Sequence, residues 1–91
     1  MKKIIAFTLR GCPYCYSAQE AYKKLQQKPE YKDVAIDWID EEEHPDLATK
    51  YDHYYCPSLF VDGKKIYEAH PGDNDDYIYG MVENAMHEAL A

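Results

Sequence analysis

The stretch Gly11-Cys12-Pro13-Tyr14-Cys15 follows a short apolar run, Ile4-Ile5-Ala6-Phe7, and opens a segment whose apolar residues recur every three or four positions. This order predicts a strand, a tight turn and a helix. Cys12 falls at the N-cap position, and Pro13 falls at the first helical position, where its missing N–H costs nothing. Cys15 lies one turn further along the same helix. The chain therefore places two cysteines at the start of a predicted helix.

These two cysteines are placed for different roles in thiol chemistry. The free N–H groups and the positive end of the helix dipole favour a thiolate at Cys12, which predicts a lowered pKa for this thiol. A thiolate attacks disulfides, whereas a thiol does not. Cys15 lies deeper in the first turn, so we interpret Cys12 as a nucleophile and Cys15 as a resolving thiol. Zinc sites use the same spacing, but the chain has no second pair of this kind.

Composition bounds the class of protein. The 91 residues predict one domain, residues 1–91, and a hydrophobic content of 46% is typical of a globular chain. A net charge of −7 disfavours nucleic acid and anionic membranes as partners, because both need a basic face. Three cysteines are too few for a disulfide-stapled secreted scaffold, and no apolar run approaches the length of a membrane span. We therefore expect a cytoplasmic protein.

Apolar periodicity predicts seven elements in the order β-α-β-α-β-β-α. They are a strand at Lys3–Thr8, a helix at Cys12–Lys28, a strand at Val34–Asp40, a helix at His44–Tyr51, strands at Ser58–Val61 and Lys64–Glu68, and a last helix ending near Leu90. The first two strands are joined through a helix, so we expect them to be parallel. Asp62-Gly63 predicts a hairpin turn, and Asp73 or Asn74 can cap the last helix.

Two motifs resemble a known family. Cys12-Pro13-Tyr14-Cys15 is similar to the active-site tetrapeptide of dithiol glutaredoxins, and the stretch from Cys56-Pro57 to Gly63 resembles the segment that carries their cis-proline and hairpin. The resemblance covers essentially the whole chain in element order and length. It implies an α/β thioredoxin (glutaredoxin-like) fold: a four-stranded mixed sheet in the order 2-1-3-4, with helices on both faces and the last two strands antiparallel to the first two.

The same resemblance implies an activity. It predicts a thiol–disulfide oxidoreductase that reduces disulfide-containing proteins or glutathione mixed disulfides. The electron donor is then glutathione, as a co-substrate, or a disulfide reductase. We further expect a monomer with no bound cofactor and no metal.

The resemblance predicts that Cys56 and Pro57 align the substrate. A cis peptide bond before Pro57 would face the cysteine pair and expose the Cys56 backbone to an extended substrate, as in β-augmentation. The family usually has an apolar β-branched residue at the position of Cys56. This third cysteine is either a small buried residue that fills the apolar slot, or a thiol that bonds Cys12 or helps to bind a metal.

The family's glutathione contacts are altered here. Arg10 stands beside the position of the usual lysine and could meet a glutathione carboxylate, since a guanidinium binds carboxylates well. The family's paired glycines after the hairpin are absent, and Asp75 or Asp76 in a longer loop could take the γ-glutamyl amine. The usual threonine two residues before the cis-proline is Tyr55. Each of these residues has an ordinary alternative as an exposed side chain or a helix cap.

Three tyrosines near the predicted site have two possible roles. Tyr14, Tyr54 and Tyr55 could line an aromatic rim around Cys12 and Pro13, or simply pack in the core and on the surface.

Three alternative functions accompany the glutaredoxin-type prediction. One is a thioredoxin-like protein disulfide reductase that does not use glutathione. Another is a metal or iron–sulfur module using Cys12, Cys15 and Cys56, for which His53 is the only plausible fourth ligand among the histidines. The last is an interaction domain without redox activity.

Overall fold

The computed structural model of residues 1–91 contains the seven predicted elements in the predicted order. They are β1 Ile4–Thr8, α1 Pro13–Gln26, β2 Ile36–Asp40, α2 Pro45–Thr49, β3 Ser58–Val61, β4 Lys64–Glu68 and α3 Asp75–Leu90. The predicted ends of α1, β2 and α2 lie one or two residues outside the observed ones, because terminal turns and strand ends lack part of their hydrogen bonding. None of the helices is long and apolar enough to cross a membrane.

The four strands form one mixed sheet in the order β2-β1-β3-β4, as predicted. β1 pairs with β2 in parallel and with β3 in antiparallel orientation. β4 is antiparallel to β3, and it therefore runs in the same direction as β1. The prediction that both last strands run antiparallel to the first two is wrong for β4, because a hairpin reverses the chain a second time.

Alternate residues of β1 supply two separate cores, one on each face of the sheet. Ile4 and Ala6 belong to the larger core, which also buries residues of α1 and α3. Phe7 belongs to a smaller core on the opposite face, against which Leu47 and Ala48 of α2 pack. Helices therefore cover both faces, as predicted.

Local chemistry fixes the turn between β1 and α1. Gly11 has a φ of +76°, a left-handed conformation that glycine adopts without a Cβ penalty. The Cys12 N–H then donates to the carbonyl of Leu9 at 3.3 Å, which closes the turn. Cys12 is the N-cap and Pro13 is the first residue of α1, as the sequence predicts.

The hairpin and the last helix also follow the sequence. Asp62 and Gly63 both have positive φ, at +48° and +84°, as a tight hairpin turn requires. Asn74 is the N-cap of α3, and its side chain accepts a hydrogen bond from the N–H of Tyr77. The two ends of the chain meet where the N–H of Lys2 donates to the carbonyl of Ala89 at 2.9 Å.

Glu68, the last residue of β4, holds the segment that leads into Pro57. Its Oε2 accepts hydrogen bonds from the backbone N–H of Tyr54 at 2.7 Å and of Tyr55 at 2.9 Å. Its Oε1 accepts a hydrogen bond from Lys65 Nζ at 2.7 Å. Burial acts to raise the pKa of this carboxyl, but the hydrogen bonds outweigh it and lower the pKa to about 2.

We expect Glu68→Gln to lower the free energy of unfolding by about 1–2 kcal/mol near neutral pH, because a neutral amide accepts weaker hydrogen bonds and does not pair with Lys65. The folded pKa of about 2 lies below the ordinary value of 4.5. The stabilisation from this carboxylate is therefore complete above about pH 4.5 and is lost as the pH falls towards about 2. Urea unfolding of both proteins across this range should show the difference shrinking.

The matched control for this substitution is Glu20→Gln. Glu20 also contacts a lysine three residues away, Lys23, at 3.0 Å, but it accepts no backbone N–H. This exposed pair should contribute a few tenths of a kcal/mol at most. Equal losses of stability in the two variants would show that the bonds to Tyr54 and Tyr55 contribute nothing.

Candidate active site

The two cysteines of α1 differ in exposure and share a hydrogen bond. Cys12 is partly buried, whereas Cys15 is 3% exposed. The backbone N–H of Cys15 donates to Cys12 Sγ at 3.3 Å, because the first turn of a helix has N–H groups without intrahelical acceptors. The more accessible sulfur is therefore the one at the helix N-terminus.

The segment before β3 lies against this sulfur. The Cys56–Pro57 peptide bond is cis, as predicted. Cys12 Sγ donates a hydrogen bond to the carbonyl oxygen of Cys56 at 3.4 Å. The backbone N–H of Cys56 makes no hydrogen bond within the chain. This N–H is therefore free to donate to a group outside the chain.

Cys56 also supplies a third thiol next to the pair. It is 8% exposed and belongs to the same small core as Cys15. The neighbouring Cys15 sulfur, burial and the Glu41 carboxylate together raise the pKa of the Cys56 thiol. All three cysteines are free thiols.

The Cys56 thiol also acts on the pKa of Cys15. Its hydrogen bond outweighs burial and lowers the pKa of Cys15 to about 6. Burial and the hydrogen bond with Cys15 raise the pKa of Cys12. The prediction of a lowered pKa for Cys12 is therefore wrong: the helix N-terminus favours a thiolate there, but desolvation and the neighbouring sulfur oppose it more strongly.

Arg10 shares a cleft with the cysteines. The cleft has a volume of about 490 Å³ and is lined by Arg10, Cys12, Cys15, Tyr16 and Asp40, among others. The Arg10 side chain is 84% exposed, and its nearest acid is Glu43 at 3.9 Å. Its guanidinium remains accessible to an incoming carboxylate.

The tyrosines named from the sequence have separate structural roles. Tyr14 packs against the larger core, and its hydroxyl accepts a hydrogen bond from the N–H of Gly72 at 2.9 Å. Tyr55 is 53% exposed and is held through its backbone by Glu68. Tyr54 is 88% exposed. Of the three, Tyr14 thus anchors a loop, and the other two present free aromatic surface.

The two aspartates of the predicted glutathione contact lie in a neighbouring cleft. Asp75 and Asp76 line this cleft together with Pro13, at the N-terminus of α3. Asp75 Oδ1 accepts a hydrogen bond from Ser17 Oγ at 2.7 Å, which ties α3 to α1. The acids and Arg10 therefore border different clefts, with Pro13 bordering both.

Comparison with known proteins adds to this geometry. No family model and no curated protein matches the sequence. Among solved structures, a mutant thioredoxin from Halobacterium salinarum is 24% identical with a TM-score of 0.59, over 93% of this chain and 74% of that chain. The thioredoxin of Malassezia sympodialis is 18% identical with a TM-score of 0.64, over 93% of this chain and 77% of that chain.

A glutaredoxin matches as well. The oxidized glutaredoxin 2 of Chlamydomonas reinhardtii is 18% identical with a TM-score of 0.57, over 98% of this chain and 79% of that chain. The chain has a thioredoxin fold. The similarity to both thioredoxins and a glutaredoxin agrees with the sheet order and the cis-proline, and it does not distinguish between these two branches of the fold.

Two further residues belong to this thioredoxin-fold site. Glu41 is not among the site residues predicted from the sequence, and His53 is predicted there only as a fourth metal ligand. Glu41 directly follows β2 and contacts the Cys56 thiol. The His53 ring hydrogen-bonds the same carboxylate through Nε2. The sequence does offer a signal, because Glu41 follows the strand that pairs in parallel with β1, and the carboxyl ends of parallel strands share one edge of a sheet.

We expect Cys56→Ala to raise the lowest thiol pKa of this thioredoxin-fold chain from about 6 towards that of an ordinary cysteine, because the substitution removes the hydrogen-bond donor to Cys15. Ultraviolet absorbance of the thiolate, followed against pH with a metal chelator present, measures it. Cys56→Ser is the matched control, since its hydroxyl retains a donor. Superimposable titrations of the wild type and Cys56→Ala would contradict this assignment.

Proposed function

We propose that the chain is a thiol–disulfide oxidoreductase. The observation that carries this proposal is the position of Cys12 Sγ. It lies at the N-terminus of α1, accepts the N–H of Cys15 and adjoins the carbonyl of Cys56 before the cis-proline. This sulfur is accessible from a cleft, and a second sulfur stands one helical turn away.

The reaction needs two exchanges of sulfur bonds. Cys12 Sγ attacks one sulfur of a substrate disulfide as its proton passes to the neighbouring Cys15 sulfur, whose pKa is lowered to about 6. A mixed disulfide forms, and the first substrate thiolate leaves and takes that proton. Cys15 Sγ then attacks Cys12 Sγ, and the second substrate thiolate leaves and is protonated from water. The substrate gains two electrons, and the protein ends with a Cys12–Cys15 disulfide.

The backbone next to Pro57 has a role in aligning the substrate. The free N–H of Cys56 can donate to a carbonyl of an extended substrate chain, which would bring the substrate sulfur towards Cys12. Glutathione or a disulfide reductase then returns two electrons to the Cys12–Cys15 disulfide. We propose a reducing compartment such as the cytoplasm, because three cysteines are too few for a disulfide-stapled secreted scaffold.

Two versions of this activity differ in substrate. A glutaredoxin-type enzyme would accept glutathione mixed disulfides, and the exposed guanidinium of Arg10 in the cleft of Cys12 favours this version. A thioredoxin-like enzyme would accept protein disulfides alone. The position of Asp75 and Asp76 in a different cleft favours this second version, as does a net charge of −7, which repels anionic glutathione. We therefore propose protein disulfides as the principal substrate.

We expect Cys15→Ser to trap a mixed disulfide on Cys12, because the resolving sulfur is lost. Intact mass after incubation with insulin should show a covalent adduct that a thiol reductant removes. Cys12→Ser should show no adduct and should lose disulfide reductase activity by roughly 100-fold or more. A wild-type protein without measurable reductase activity, or a Cys12→Ser variant that retains it, would overturn the proposal.

The same Cys15→Ser variant separates the two versions. Incubation with oxidised glutathione should give little adduct compared with insulin if protein disulfides are the principal substrate. A complete glutathione adduct that reduced glutathione removes readily would instead assign the glutaredoxin-type activity.

A further inference from the structure

A second group of reactive side chains lies beneath the cysteine pair, in residues that the proposed exchange reaction does not consume. Ligand atoms of Glu41, His53 and Cys56 all lie within 4.8 Å of one another. Glu41 directly follows β2, and the other two residues lie three positions apart on the segment before β3. The group thus offers one carboxylate oxygen, one imidazole nitrogen and one sulfur.

The hydrogen bonds of His53 fix which ring nitrogen carries a proton. Nδ1 lies 2.9 Å from the carbonyl oxygen of Tyr51, which can only accept, so Nδ1 carries the proton. In the neutral ring Nε2 then presents its lone pair to Glu41 Oε1, which is also an acceptor. Two facing acceptors repel one another, so a proton on Nε2 or a metal ion bound by both groups is needed to balance them. A histidine whose second nitrogen is tied to a backbone carbonyl is the usual arrangement of a metal ligand.

Burial of the His53 ring holds this side chain in place. The His53 side chain is 3% exposed and stacks on Phe7, with ring centroids 4.8 Å apart and an interplanar angle of 13°. The ring of Phe60 lies edge-on to it, with centroids 6.1 Å apart. Two facing acceptors in such an apolar setting are costly unless a cation balances them. The ring is therefore held in place before any ligand arrives.

We propose that Glu41, His53 and Cys56 form a binding site for a zinc ion. Thiolate, imidazole and carboxylate are the ligands that Zn²⁺ takes in proteins. A carboxylate and a thiolate together balance its charge of two, which suits a buried site. Zinc bonds of about 2.0–2.3 Å place tetrahedral ligands roughly 3.3–3.8 Å apart, so Glu41 Oε1 and His53 Nε2, which are in direct contact, would move apart to admit the ion.

A route exists for the ion to enter. A surface cavity of about 350 Å³ is lined by Glu41 and His53, with Asp52 and Tyr54 at its rim. Glu41 is the most accessible ligand, with 22% of its side chain exposed. Carboxylates at the entrance attract a divalent cation, and the net charge of −7 acts in the same direction. The ion can thus reach the site without unfolding of the chain.

Zinc affinity of the reduced, metal-free chain tests this site. Competition with a chromophoric chelator should give one bound Zn²⁺ per chain. Glu41→Gln should weaken binding by about tenfold or more, because a neutral amide is a poorer ligand for Zn²⁺. Glu42→Gln removes an exposed carboxylate from the same turn and should bind as the wild type does. Circular dichroism and urea unfolding confirm that both variants are folded.

Co²⁺ identifies the ligands directly. The wild type loaded with Co²⁺ should show the absorption of a tetrahedral site and a sulfur-to-metal charge-transfer band. His53→Gln should lose the tetrahedral absorption, whereas the control His44→Gln should keep it. Cys56→Ala should lose the charge-transfer band. Failure to bind Zn²⁺, or equal affinities of Glu41→Gln and Glu42→Gln, would overturn the site and leave a proton as the bridge between His53 and Glu41.

The test also separates this site from the proposed oxidoreductase. Cys12→Ser should lose disulfide exchange and still bind Zn²⁺, because Cys12 is not one of the three ligands. Zinc binding that disappears in Cys12→Ser while persisting in Glu41→Gln would place the metal on the cysteine pair and overturn the inference. A redox-inactive wild type with intact zinc binding would overturn only the proposed function.

Discussion

The hydrogen bond between the Cys12 thiol and the carbonyl of Cys56 joins parts of the chain that are 44 residues apart. It requires α1 to begin at Pro13, which depends on the left-handed turn at Gly11. It also requires the segment before β3 to lie at the same edge of the sheet, which the pairing of β1 with β3 ensures. The sheet thus brings the turn before α1 and the segment before β3 together at the candidate site.

Cys56 connects the two chemistries of this region. Its backbone faces Cys12, while its thiol lies between Cys15 and Glu41. An apolar β-branched residue at this position could pack equally well, but it could not donate to Cys15 or bind a cation. A thiol here therefore couples the charge of the cysteine pair to the acid and the imidazole beneath it. The Cys56 side chain would thus act on the cysteine pair and also be a ligand in the proposed zinc site.

Local signals in the sequence predict most of the fold and part of the site. Cys12 as an N-cap, Asp62-Gly63 as a hairpin turn and the element order all depend on neighbouring residues, and the structure has them as predicted. The pKa of Cys12 depends on burial and on a sulfur placed by tertiary structure, and this prediction is wrong. The contact between Glu41 and His53 likewise arises only when the end of β2 meets the segment before β3.

The hydrogen bond from the N–H of Lys2 to the carbonyl of Ala89 brings the two ends of the chain together near the start of β1. Cys12 follows the opposite end of the same strand. A group attached at either terminus, such as a fusion partner, an affinity tag or a surface anchor, would consequently lie on the side of the molecule opposite the thiols. An attachment at either end would therefore leave the cleft around Cys12 open.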